Sequence, residues 1–194
     1  MDRFDKILWI RERLSSLQIS QNDISILGVC GSYGRCDFTP SSNIDIMYIN
    51  KNLSLETKQR YVTGIFPNDV IRIHEFKNGN FFINEIDSII LRILFLSETI
   101  PFFCENSYWE LYSRVSNSLL RTHINPQELV DYKLSKYDII QVKKRERVQS
   151  IFPLQIRYVF YILEYENLDL QKKINNLPFL QKYEIIKNKK RFTL

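Results

Sequence analysis

Asn43 and Asp45 stand two residues apart in an apolar run that ends at Ile49. A strand has a period of two, so both side chains leave one face of it. A polar pair on the face of an apolar strand is costly to bury unless something pairs with it. A cation is one such partner, and a hydrogen-bonded structural site is the other. A spacer of ten residues separates Asn43 from a Gly-Ser turn, Gly31-Ser32, which closes a second apolar run, Ile24 to Cys30. Gly31 can adopt backbone angles closed to other residues and lets a ligand approach the main chain. Ser32 can cap a following helix and offers a hydroxyl beside free backbone N–H groups, an arrangement suited to phosphate. The elements needed to position these groups are therefore a strand, a tight turn with a short helix or loop, and a second strand.

The stretch GSYGRCDFTPSSNIDIMYI resembles the signature of the DNA polymerase β-like nucleotidyltransferase superfamily, in its bacterial protein uridylyl- and adenylyltransferase and small stand-alone branches. Arg35, Pro40, Ser42, Ile44 and Asp45 stand where that pattern wants them. Two positions depart from it: Asn43, where the family has its first Asp, and Cys36, where it usually has Gly. The specific match covers about 20 residues, and the rest of the chain matches in layout. The resemblance implies an α/β fold with a small mixed sheet, followed by a helical C-terminal region. It also implies transfer of a nucleoside monophosphate from a magnesium–nucleoside triphosphate, ATP first among them, to an acceptor hydroxyl. Gly31, Ser32 and Arg35 would be the nucleotide-binding residues, although Arg35 reads better as structural. Asp45, with Asn43 as a weaker oxygen ligand, would hold Mg2+. A third carboxylate is expected on the next strand as the base, and Glu75 is the leading candidate, with Asp69 and His74 behind it. The acceptor is read as a protein or small molecule in preference to nucleic acid. The alternative is a degraded site serving as a nucleotide-binding or regulatory module, because Asn43 offers an oxygen without the charge magnesium prefers.

The whole chain sets wider bounds. At 194 residues it suits one α/β domain, read as residues 1–105, with a helical region, 106–194. Its 44% apolar and 25% charged content is that of a globular protein. Cys30, Cys36 and Cys104 show neither metal spacing nor a disulfide framework, which points to a reducing, cytoplasmic setting. The opening residues do not read as a signal peptide, and no apolar run has the length of a membrane span. The net charge of +5 is uneven: residues 141–194 hold 12 Lys/Arg against 5 Asp/Glu, while the first 140 carry 15 against 17. Such a basic end suits an anionic partner or a solvated helix face.

Periodicity predicts a helix over 3–18 with a stripe of Phe4, Ile7, Leu8, Leu14 and Leu17, and strands at 24–30 and 43–49. A helix over 54–65 follows, capped by Ser54, with Thr57, Lys58, Arg60 and Tyr61 exposed or partly so. A third strand is expected over 70–76, then a hairpin turn at 77–80 into 81–83. Beyond residue 84 the pattern reads as helical throughout, with Ser97 to Phe103 a connection and helix starts at Asn125-Pro126 and Pro178. The basic cluster Lys143, Lys144, Arg145 and Arg147 belongs to this half.

Overall fold

The computed structural model describes residues 2–17, 24–50, 52–75, 86–103, 105–122, 125–135, 146, 148–163, 174 and 176–190. The expected hairpin at 77–83 and the basic cluster Lys143, Lys144, Arg145 and Arg147 lie outside these residues.

Helix α1, Arg3–Ser15, starts on a capping box in which the Asp5 amide donates to Asp2 at 2.8 Å. Its buried stripe is Ile7, Ile10 and Leu14, at i, i+3 and i+7. Phe4 and Leu8 fall to the side of that stripe and remain exposed. Strand β1, Ile24–Cys30, runs straight into the one-turn helix α2, Gly31–Arg35. Strand β2, Ile44–Asn50, follows, and then helix α3, Leu55–Ile65, whose Thr57 amide donates to the Ser54 hydroxyl at 3.2 Å. Strand β3 is Ile71–His74, shorter than the sequence suggested.

Helix α4, Ile86–Glu98, leads into strand β4, Ile100–Phe103. Sequence pattern alone predicts a connection for this last segment. It pairs antiparallel with β1 at the sheet edge, where Pro101 is tolerated because one side of the strand needs no ladder bonds. Helices α5 (Glu105–Thr122), α6 (Pro126–Ser135), α7 (Phe152–Leu163) and α8 (Phe179–Lys190) complete the described chain. Asn125 caps α6: the Glu128 amide donates to its side chain at 2.9 Å, and Glu128 reaches back to the Asn125 amide.

The sheet is mixed, in the order β3-β2-β1-β4, with β2 antiparallel to β1 and parallel to β3. The fold is thus α/β with a small mixed sheet, as expected. Alternation along the strands divides the core into two layers. Leu27, Val29, Ile44, Ile46 and Tyr48 face α1 and α3, where Val62 and Phe66 meet them. Ile26, Cys30, Met47 and Ile49 face the other way, into a layer built from α4 to α8. The helical half therefore shares its core with the sheet. At the C-terminus of α4 the Leu96 carbonyl accepts from the buried Tyr108 and Tyr112 hydroxyls, which satisfies an end that water does not reach.

Candidate functional site

Asp45 lies on the face that carries Met47 and Ile49. Its backbone neighbours across the sheet are Cys30 on β1 and Arg72 on β3. In parallel pairing, residues opposite each other share a face, so Arg72 and His74 stand on the Asp45 side. Two cross-strand pairs result. His74 Nε2 lies 2.9 Å from Asp45 Oδ1. The Asn43 amide oxygen, oriented to satisfy both groups, accepts from Arg72 Nε at 3.0 Å and from Nη2 at 3.1 Å. His74 is further held by the Phe95 ring, with centroids 4.4 Å apart. Asp45 and His74 are partly exposed and Arg72 is exposed, so the face is open to solvent at this point.

The Gly-Ser turn closes over the same carboxylate. Gly31 has φ +61, and a Cβ there would sit 2.5 Å from Asp45 Oδ2 and 3.1 Å from its Cγ. Only glycine fits both the angle and the contact. Helix α2 ends in a Schellman arrangement: the Cys36 amide donates to the Tyr33 carbonyl and the Asp37 amide to the Ser32 carbonyl, both at 3.0 Å. Cys36 itself is left-handed, φ 67, which explains why glycine suits this position better. Ser32 is half-buried, and its hydroxyl has no hydrogen-bond partner among the described residues.

Arg35 does not face the turn's open side. It is 7% exposed, with Nη1 2.7 Å from Glu98 Oε2 and Nε 3.1 Å from Asp37 Oδ2. Gln155 donates to the other Glu98 oxygen at 2.6 Å. Burial pushes the Glu98 carboxyl up, and the Arg35 guanidinium and Gln155 pull it back. Beside this group the buried Lys182 donates to the Thr99 carbonyl at 2.7 Å, and burial brings its amine down to about 7 against the pull of Glu98. Gly34 packs so closely here that a Cβ would lie 1.9 Å from the Glu98 carbonyl oxygen. Arg35 is therefore a structural bolt between α2, α4 and α7, out of reach of a phosphate at the turn.

The carboxylates proposed as a third ligand or base lie elsewhere. Glu75 is in a short ion pair with Lys58 of α3, and Lys58 is almost wholly buried beside the Tyr48 ring, in the opposite core layer. Lys58 is thus not the exposed residue that helix periodicity suggested: it is drawn in by a carboxylate partner, as a buried ammonium requires. Asp69 is 3.9 Å from Lys6 and lines a cleft of about 420 Å3 with Arg3, Tyr33 and Phe38. The structure brings together Gly31, Asn43, Asp45 and His74, and leaves out Arg35, Glu75 and Asp69. It adds Arg72, to which the sequence analysis assigns no role.

These residues do not fit a magnesium site as arranged. Magnesium takes near-octahedral oxygen ligands, usually one or two carboxylates among them. Here one carboxylate is present, one of its oxygens faces His74, and the Asn43 oxygen is already bound by a guanidinium. A dication placed beside Arg72 would be repelled. No group of three or more His, Cys, Asp or Glu side chains converges among the described residues. Among them, too, no helix is long and apolar enough to cross a membrane. Comparison with family models, with curated proteins and with solved structures finds no match.

Proposed function

We propose that the chain is a nucleotide-binding module of nucleotidyltransferase type in which metal-assisted transfer has been given up. The observation that carries this reading is the Arg72 guanidinium seated on Asn43, on the face where the motif would place two carboxylates and their ion. The Gly31–Ser32 turn pressed against Asp45 supports the binding half of the reading, with Ser32 and neighbouring amides offered to phosphate. ATP is the first nucleotide to test. A module of this kind would act by binding, as a sensor or a regulatory partner.

A second reading, transfer to a hydroxyl on a protein or small molecule, is favoured by the Asp45–His74 pair. A carboxylate against an imidazole is the kind of group that orients a base and takes a hydroxyl proton.

One experiment separates the two. The purified protein is incubated with each labelled triphosphate, with and without magnesium, in cell extract, while its melting temperature is followed with each triphosphate under the same two conditions. Binding to the native state raises the melting temperature, and Ser32→Ala should reduce the rise. The binding reading expects a rise and no labelled product. Labelled product from the unmodified protein would overturn it in favour of transfer. No rise with any triphosphate at millimolar concentration would overturn both.

A further inference from the structure

We infer that Arg72 serves this site as a built-in cation, so that its ligand is a nucleoside polyphosphate bound free of divalent metal. The inference rests on the nucleotide-binding reading above and names the charged form that the site takes.

The charges on the face decide the matter. Asp45 contributes one negative charge and Arg72 one positive charge, and Asn43 contributes none. His74, against Asp45, adds either zero or one positive charge. The sum is zero or +1. A face carrying two or three carboxylates repels a polyphosphate until metal ions neutralise it, because the electrostatic work at a few ångströms is large. This face has no such surplus to neutralise. A guanidinium is also a fixed fork of donors matched to phosphate oxygens, and two of its N–H groups already point at one oxygen, that of Asn43. The Asn43 amide oxygen holds the fork by two of its N–H groups with no competing charge. An aspartate there would neutralise the guanidinium.

The arrangement also makes Arg72 available. Its side chain is exposed, and its hydrogen bonds to Asn43 go to an uncharged acceptor that a phosphate can outcompete. Its strand neighbour is Asp45, whose carboxylate lies against the Gly31 turn. His74 pairs with Oδ1 of Asp45, while Oδ2 faces the Gly31 turn.

The test is isothermal titration of the protein with ATP in excess EDTA and again in excess magnesium. Affinity in EDTA should equal or exceed that in magnesium. Arg72→Gln should lower the affinity in EDTA at least about tenfold, the effect of losing one charge-assisted hydrogen bond. Arg72→Lys should recover part of it. Because Arg72 is exposed, Arg72→Gln should fold, and its circular dichroism spectrum should match that of the unmodified protein. Binding of bare Mn2+ by electron paramagnetic resonance gives a second readout. The unmodified protein should show none, and Asn43→Asp combined with Arg72→Gln should acquire it. ATP binding that needs magnesium would overturn the inference and leave the nucleotide-binding reading standing. Binding in EDTA that ignores Arg72→Gln would overturn it equally. No binding in either buffer would overturn both.

Discussion

The contact between Gly31 and Asp45 can be measured as a coupling energy. Gly31→Ala places a methyl at φ +61, where an L-residue costs about 1–2 kcal/mol, partly offset by a gain of about 0.4–1 kcal/mol from a less flexible unfolded chain. The same methyl would stand 2.5 Å from Asp45 Oδ2, with Cγ at 3.1 Å and Cβ at 3.2 Å, so turning the carboxylate alone does not clear it. Asp45 must shift and lose its contact with His74, a further cost of about 1–2 kcal/mol. The single substitution should therefore destabilise the fold by about 2–3 kcal/mol. Asp45→Ala removes Oδ2 and Cγ and leaves only the Cβ contact. In that background Gly31→Ala should cost about 1 kcal/mol, which gives a coupling of about 1–2 kcal/mol. Urea unfolding of the four proteins, at constant m, reads this directly. Additive costs, within about 0.5 kcal/mol, would show that the turn does not press on the carboxylate. The close approach on which both the binding reading and the Arg72 inference rely would then be wrong.

Two further substitutions test the scaffold. Lys182 has a folded pKa of about 7, below its ordinary 10.5. Between those values the unfolded chain binds the extra proton, so this residue makes stability rise with pH from about 7 to about 10.5. Lys182→Met should flatten that rise and stabilise the protein most at and below pH 7, as urea midpoints at pH 6, 7.5 and 9 would show; an unchanged slope would mean that the amine stays charged. Cys36→Gly removes an L-residue from a left-handed C-cap, φ 67, and should raise the melting temperature by about 2–4 °C, corresponding to about 1 kcal/mol for a chain of this size. A fall in the melting temperature would mean that the packing of the Cys36 side chain outweighs the backbone strain.

Local rules reached most of the sheet's centre. Two apolar runs flanking a Gly-Ser turn became β1, α2 and β2, and Ser54, Asn125 and Pro178 marked helix starts because caps act over three or four residues. Strand β4 escaped them. Four residues with a proline, following a long helix, carry no periodic signal, and only the exposed edge of β1 makes them a strand. Lys58 and Glu75 escaped for a related reason. Each alone reads as a solvated charge, and their pairing links residues 17 apart across a helix and a strand. The base expected at Glu75 depended on which side of β3 would face Asp45. Alternation separates Arg72 and His74 from Glu75, yet it cannot say which set shares a face with a residue on another strand. The register of Asp45 with Arg72 decides that, and register is a property of the assembled sheet.

The same register gives Asn43 a meaning that the motif alone could not. Taken by itself, Asn43 is a weakened ligand, a loss at one position. Set opposite Arg72, it is half of a consistent pair. A guanidinium on this face beside two carboxylates and a metal ion would be torn between attraction to the acids and repulsion by the ion. Beside a carboxamide it has one neutral acceptor and a free choice of anion. Asp at position 43 alone would therefore give Arg72 a salt-bridge partner and not create a metal site. Activity or metal binding would require position 72 to change as well. Asn43 and the guanidinium bonded to it are intelligible only together.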